Sequence, residues 1–178
     1  MADTRILVVD DEAAERITLG EVLRLEGYHV TLAASGEEAL AIAQKEDPFE
    51  LAILDLRLPG IDGMQVLDGV RQQSPDTVVI LITGYGTLET AIQALRKGAY
   101  DFLLKPCPVD EVLAAVRRAL SELKQERHRR VLMAKLHDTL QEFMAVEEGE
   151  PIEVEPEEEE QLMEASDVVR DRAKHLGT

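Results

Sequence analysis

Three aspartates, a threonine and a lysine each stand directly after a short apolar segment of the chain. These residues are Asp10, Asp11, Asp55, Thr83 and Lys105. If the apolar segments are neighbouring parallel strands, their carboxyl ends meet at one edge of a sheet, which is where ligands of open α/β proteins bind. We therefore expect the five side chains to converge on one site, although they are far apart in the sequence.

Three carboxylates at one site need a positive charge among them. Two unit charges 4 Å apart repel by about 4 kcal/mol at an effective dielectric constant of 20. A Mg²⁺ ion relieves this repulsion, since it prefers oxygen ligands and binds through one or two carboxylates together with phosphate oxygens. We predict Asp11 and Asp55 as direct ligands, Asp10 as a ligand through water, and the backbone carbonyl of Arg57 as a further oxygen ligand.

The same residues suit phosphoryl transfer to a carboxylate. An aspartate can attack phosphorus and form an aspartyl phosphate, and the charge on the equatorial oxygens then needs hydrogen-bond donors around it. Lys105 and the Thr83 hydroxyl are the predicted donors, and Asp55 is the predicted phosphoacceptor. No general base is required, because a carboxylate is already a nucleophile.

The elements that must position these residues alternate along residues 4–121. Short apolar segments are followed by longer amphipathic ones, which indicates a parallel sheet flanked by helices. The first predicted helix, residues 13–26, is expected to turn Ile17, Val22 and Leu25 toward the sheet. The predicted strands are residues 5–9, 29–33, 51–54, 78–82 and 102–104.

Polar residues suited to helix N-termini precede the next three helices. They are Ser35, Asp62 and Thr87, whose side-chain oxygens can accept hydrogen bonds from free backbone N–H groups. We expect the second, third and fourth helices to begin directly after them.

Four segments, in this order, resemble the receiver domain of two-component response regulators. They are Val8-Val-Asp-Asp-Glu, Leu54-Asp-Leu-Arg-Leu-Pro-Gly-Ile-Asp-Gly-Met, Ile82-Thr-Gly-Tyr-Gly and Phe102-Leu-Leu-Lys-Pro. The resemblance covers residues 4–122 and shows no departure at the five site positions. It implies a flavodoxin-like, doubly wound α/β fold with a five-stranded parallel sheet of order 2-1-3-4-5.

The resemblance also implies a switch. A sensor histidine kinase would transfer a phosphoryl group to Asp55, Thr83 would move toward that group, and Phe102 would turn inward. Gly84 would belong to the same phosphate-binding segment, and the Lys105-Pro106 peptide would be cis. The altered surface would bind a downstream protein. Such a domain is not an enzyme in the ordinary sense, but a phosphoacceptor that assists its own phosphorylation and dephosphorylation.

A long helix is predicted after the last strand, since no Gly or Pro occurs between Val109 and Gly149. Its first half is expected to pack on the sheet. Its second half either folds back on the domain or forms a two-helix contact in a homodimer. The apolar stripes are Leu113, Val116, Leu120 and Leu123, then Leu132, Leu136, Leu140 and Phe143. We predict a receiver domain at residues 1–122, a helical extension at 123–146, and an acidic linker with a short tail at 147–178.

Composition narrows the function classes. The formal net charge of −17 disfavours direct binding of nucleic acid. No signal peptide or membrane span is evident, so we expect a cytoplasmic protein without a membrane partner. Cys107, the only cysteine, is expected to serve packing. His137 weakly resembles the phosphoacceptor of a kinase dimerisation helix, and an ordinary surface histidine is the simpler interpretation.

Two other function classes fit the sequence less well than a receiver does. A magnesium phosphohydrolase with an aspartate nucleophile needs an acid where the chain has Arg57, and a flavin-binding protein needs a phosphate-cradling loop after the first strand. Two alternatives stay open: a phosphorylation-independent interaction scaffold, and the regulatory fragment of a longer transcriptional activator.

Overall fold

The computed structural model describes residues 4–148. They belong to two compact units that divide between Val131 and Leu132. Most of the predicted acidic linker and tail lies outside the described residues, as does the side chain of Phe143. No helix within the described part of the chain has the length and apolar character needed to span a membrane.

The first unit contains a five-stranded parallel sheet in the order β2-β1-β3-β4-β5. This confirms the predicted flavodoxin-like order. The strands are β1 Arg5–Val9, β2 His29–Ala33, β3 Leu51–Asp55, β4 Val78–Thr83 and β5 Asp101–Leu104. The helices are α1 Ala13–Leu25, α2 Gly36–Lys45, α3 Gly63–Gln73, α4 Leu88–Arg96 and α5 Val109–Glu148.

Alternate residues of each strand enter separate hydrophobic cores on the two faces of the sheet. In β1, Leu7 packs in the core that α2, α3 and α4 share, while Ile6 packs in the core that α1 and α5 share. Both side chains are completely buried. The central strands are therefore apolar on both sides, as a sheet covered by helices on both faces requires.

The predicted helix starts are confirmed by side-chain caps. Ser35 accepts a hydrogen bond from the N–H of Glu38, and Thr87 accepts one from the N–H of Thr90. Asp62 accepts from the N–H of Gln65 at 2.9 Å, while its own N–H donates to the Gln65 side chain at 3.0 Å. Each cap satisfies backbone donors that the first helical turn leaves free.

The predicted inward face of α1 is wrong at two positions. Ile17 is 51% exposed and Leu25 is 88% exposed, whereas Leu23 is completely buried. The physical reason lies at Gly20, which is also buried, because a Cβ atom there would stand only 2.8 Å from the Leu32 side chain. The glycine thus lets β2 approach α1 closely, and the buried face of the helix contains Gly20 and Leu23 in place of Ile17 and Leu25.

Helix α5 continues without interruption from Val109 to Glu148, as the absence of Gly and Pro predicts. Its first turns bury Val112 and Val116 in the core shared with α1. Further along, Arg127 and Arg130 pair with Glu50 and Asp76, which precede β3 and β4 at the amino edge of the sheet.

Candidate functional site

The residues expected to carry chemistry all lie at the carboxyl edge of the sheet. Asp10 directly follows β1 and Lys105 directly follows β5, while Asp55 and Thr83 are the last residues of β3 and β4. The predicted third and fourth strands end one residue too early, and the predicted fifth strand begins one residue too late. Because β1, β3, β4 and β5 are consecutive in the sheet, these four residues occupy adjacent strand ends.

Lys105 joins the two buried aspartates. Its Nζ atom lies 2.8 Å from Oδ2 of Asp10 and 2.7 Å from Oδ2 of Asp55. It also contacts Oε2 of Glu15, on the first turn of α1, at 2.5 Å. The sequence did not single out Glu15. The one available signal was its place in the first turn of a helix that begins three residues after Asp10.

The charge of Lys105 is strongly favoured in this setting. Burial lowers the pKa of its ammonium group, but hydrogen bonds to Asp10, Asp55 and Glu15 raise the pKa by more, and the net pKa lies above the ordinary lysine value. The side chain is therefore a fixed positive charge among carboxylates at physiological pH.

Backbone N–H groups orient the two buried carboxylates. The N–H of Glu12 donates to Oδ1 of Asp10 at 2.8 Å, and the N–H of Arg57 donates to Oδ1 of Asp55 at 2.8 Å. Each aspartate therefore presents one oxygen to the residue two positions ahead and the other to Lys105. This is the side-chain-to-backbone turn that aspartate favours, and it fixes both carboxylates before any ligand binds.

The acidic cluster has the donor set of a hard divalent cation. Asp10, Asp11 and Asp55 each offer a carboxylate oxygen, and these oxygens lie within 4.8 Å of one another. Asp11 is exposed, so the cluster is open to solvent on one side. Oxygen ligands with an open side fit Mg²⁺, which retains several waters. The predicted role of the Arg57 carbonyl stays a prediction.

Thr83 is completely buried, and its contacts differ from those of Lys105. The hydroxyl oxygen accepts a hydrogen bond from the N–H of Tyr85 at 3.3 Å. The backbone carbonyl of Thr83 accepts from the N–H of Lys105 at 2.9 Å. The ends of β4 and β5 are thus joined through the backbone, while the hydroxyl is bonded within its own loop.

The remaining predicted residues surround this edge. The Phe102 side chain is half-buried and packs against the core that contains Leu81. Gly84 follows β4, where an added Cβ would meet only the Lys105 side chain at 3.9 Å. The Lys105-Pro106 peptide is cis.

Two further contacts border the site. The Arg57 guanidinium lies 3.8 Å from the centre of the Tyr85 ring, a distance at which a cation and an aromatic face attract. Asp10, Asp55 and Lys105 also line part of a cavity of about 380 Å³, whose other walls include Leu19 of α1 and Cys107.

An acidic cluster bridged by a lysine, at the carboxyl edge of a 2-1-3-4-5 sheet, defines a receiver-type α/β domain. The family model described as "Response regulator receiver domain" matches residues 6–117. The chain therefore belongs to the response regulator receiver domain family.

Two curated relatives show how the match extends. The chain is 41% identical over 140 residues to the C4-dicarboxylate transport transcriptional regulatory protein DctD of Pseudomonas aeruginosa, which covers 77% of this chain and 30% of that regulator. It is 38% identical over 120 residues to sporulation initiation phosphotransferase F of Bacillus subtilis, covering 67% of this chain and 96% of the relative. The chain thus spans less than a third of the first relative and nearly all of the second.

A solved structure matches at similar identity. It is a response regulator protein from Burkholderia pseudomallei with a phosphorylated aspartic acid, calcium ion and citrate. The two chains are 35% identical with a TM-score of 0.61, over 70% of this chain and 73% of that one.

Proposed function

We propose that this chain accepts a phosphoryl group on Asp55 from a sensor histidine kinase. The observation that carries the proposal is the position of the Lys105 ammonium, within 2.8 Å of both Asp10 and Asp55. A nucleophilic carboxylate beside a fixed positive charge suits attack on an anionic phosphoryl group. The phosphorylated aspartic acid in the similar Burkholderia pseudomallei structure supports the assignment.

The transfer would be an in-line displacement at phosphorus. An oxygen of Asp55 forms the new P–O bond as the P–N bond of the kinase phosphohistidine breaks, and the imidazole leaves with the electron pair. Lys105 donates to an equatorial oxygen of the phosphoryl group. The N–H of Arg57, already bonded to Asp55, keeps the carboxylate in place.

We propose Mg²⁺ as the cofactor. Asp11 and Asp55 would bind it directly, Asp10 through water, and the carbonyl of Arg57 would add an oxygen ligand. When bound, the ion supplies positive charge that screens the carboxylates from one another and from the phosphoryl oxygens.

Phosphorylation would act as a switch. The Thr83 hydroxyl would leave the N–H of Tyr85 and donate to the phosphoryl group, and Phe102 would turn inward. Gly84, next to Thr83, would belong to the same phosphate-binding loop after β4. The new charge and hydrogen bonds would favour a second conformation of the surface formed by α4, β5 and α5. In that conformation the surface would bind a downstream protein.

The domain would serve as a phosphoacceptor rather than a classical enzyme, in the cytoplasm and without direct contact to nucleic acid. We propose a receiver at residues 1–122, a helical extension at 123–146 and an acidic tail at 147–178. A second candidate is the regulatory part of a larger transcriptional activator. It is favoured by the DctD match, which covers 30% of that regulator.

The test uses a small phosphodonor, acetyl phosphate or phosphoramidate, with MgCl₂. Intact mass spectrometry is expected to show one added phosphoryl group on the wild-type chain and none on Asp55→Asn. Asp68→Asn is the matched control, because Asp68 is an aspartate on α3 that pairs with Lys97 away from the acidic cluster. Equal phosphorylation of Asp55→Asn and the wild type refutes the assignment.

A further inference from the structure

The ammonium group of Lys105 has three N–H donors, and three carboxylates contact it. Two of them, Asp10 and Asp55, belong to the acidic cluster expected to bind a cation. The third, Glu15, does not belong to that cluster. It approaches from α1 with a side chain that is 46% exposed, whereas those of Asp10 and Asp55 are 11% and 10% exposed.

The oxygens that Lys105 occupies lie on carboxylates that a divalent cation needs. Its contacts are to Oδ2 of Asp10 and Oδ2 of Asp55, while the Oδ1 atoms of both residues are bonded to backbone N–H groups. A cation entering the cluster repels the ammonium group and competes with it for these oxygens. Both effects favour loosening of at least one of the two Lys105 contacts.

A displaced ammonium group needs another acceptor. The Lys105 side chain is only 19% exposed, so water compensates poorly for a lost carboxylate. Glu15 already lies 2.5 Å from the ammonium group, on a different element from the aspartates. It can hold the ammonium group when the aspartates bind a cation.

We infer that Glu15 is a positioning residue for Lys105: it retains the ammonium group when Mg²⁺ binds at the aspartates, and so strengthens Mg²⁺ binding. The role of Glu15 rests on the proposed function, because it requires the acidic cluster to be a Mg²⁺ site.

A simpler account must be separated from this one. Any carboxylate near a cation site raises the affinity for Mg²⁺ through space, whether or not it touches Lys105. The two accounts differ in their dependence on Lys105. A double-mutant cycle between Glu15 and Lys105 isolates the part of the effect that passes through their contact.

The experiment measures Mg²⁺ affinity by titration calorimetry with MgCl₂ on the full chain. Glu15→Gln is expected to weaken Mg²⁺ binding about twofold to fivefold, the range expected for a partly exposed ion pair. In a Lys105→Met background, Glu15→Gln is expected to cause no further change. Glu15→Asp, which keeps the carboxylate, is expected to retain more affinity than Glu15→Gln.

Glu21→Gln is the matched control. It removes the same charge from the same helix, and Glu21 pairs with Arg24 instead of Lys105. Mg²⁺ affinity is expected to stay at the wild-type value. Thermal unfolding checks that each variant is folded, and Lys105→Gln replaces Lys105→Met if the latter is not.

Two results overturn the role of Glu15 alone. One is an equal loss of affinity in both backgrounds, which indicates a charge effect through space. The other is tighter Mg²⁺ binding by Glu15→Gln, which would mean that Glu15 holds Lys105 onto the aspartates. A wild-type chain that binds no Mg²⁺, or Asp11→Asn that binds it normally, overturns the proposed metal site together with the inference.

Discussion

The Nζ atom of Lys105 lies 2.7 Å from Oδ2 of Asp55, although fifty residues separate them in the sequence. The contact crosses from the end of β5 to the end of β3, past the intervening strand β4. The same ammonium group reaches Asp10 at the end of β1. One lysine therefore contacts carboxylates at the ends of two strands that are not adjacent to its own strand, β5.

Removal of this lysine is expected to destabilise the protein when no metal is present. Lys105→Met leaves the carboxylates of Asp10 and Asp55 close together without a cation. We expect the free energy of unfolding to fall by about 1 to 3 kcal/mol, the range for losing a charged hydrogen-bond partner. The measurement is urea denaturation in EDTA, and added MgCl₂ is expected to restore part of the loss.

Lys97→Met is the matched control for this prediction. Lys97 also pairs with an aspartate, Asp68, but both side chains are more than 40% exposed, compared with 19% for Lys105. Exposed pairs contribute about 0 to 1 kcal/mol. Equal destabilisation by the two substitutions would show that the buried contacts of Lys105 stabilise the protein no more than an exposed ion pair does.

Alanine substitution of two nearby glycines, Gly86 and Gly84, is expected to affect stability differently. A Cβ atom at Gly86 would lie 2.7 Å from the Phe102 ring and would also overlap the Leu104 side chain. At Gly84 the only neighbour within 4 Å is the Lys105 side chain, at 3.9 Å. We expect Gly86→Ala to lower the free energy of unfolding by about 1 to 3 kcal/mol through overpacking, and Gly84→Ala to change it little.

The two glycine variants are compared by urea denaturation under identical conditions. Neither glycine has a positive φ angle, so the difference reports side-chain space rather than backbone conformation. If Gly86→Ala is as stable as the wild type, the Phe102 ring is not held against this loop as the structure has it.

Cys107 is expected to be a poor nucleophile at neutral pH. Burial raises the pKa of its thiol, and the charge of Glu111 raises it further. Since the thiolate is the reactive form, alkylation by iodoacetamide should have its pH midpoint above that of the same thiol in the urea-unfolded chain. The midpoint is the useful quantity, because simple shielding slows the reaction equally at every pH.

This chain suits the thiol measurement because it contains one cysteine. The Cys107→Ser variant gives the blank for labelling at other residues. A midpoint in the folded protein equal to that of the unfolded chain would contradict the raised pKa of the thiol. A lower midpoint would show that the thiol is activated, and would contradict the packing role as well.

Much of the fold followed from local patterns in the sequence. The sheet order was expected from the resemblance of four motifs, and the caps at Ser35, Asp62 and Thr87 from residue type alone. Strand ends were less accurate because the last residues of β3 and β4 are polar. They still pair with the neighbouring strand, Asp55 with Ile82 and Thr83 with Leu104. The convergence of Asp10, Asp55 and Lys105 was expected from topology, since parallel strands end at the same edge.

What escaped prediction depends on how side chains pack between elements. The α1 face was misjudged because a glycine, Gly20, faces β2. Glu15 was not predicted because its contact with Lys105 depends on how α1, which packs on β1 and β2, is placed relative to the end of β5. The hydrogen bond of the Thr83 hydroxyl to the Tyr85 N–H is likewise a matter of rotamer and loop shape, which residue type and spacing do not determine.

The described residues of the second compact unit belong to α5. Leu132, Leu136 and Leu140 are spaced by four residues, share one side of the helix, and are 53%, 54% and 52% exposed. We expect this stripe to pair with its copy in a homodimer, because association would bury the leucines. Light scattering should show a dimer, and Leu136→Lys should raise its dissociation constant by at least about tenfold, since a charge would then enter an apolar contact. Gln141→Lys adds a charge at an exposed position away from the stripe and should leave the dimer intact. A wild-type chain that stays monomeric both with and without beryllofluoride would rule the homodimer out.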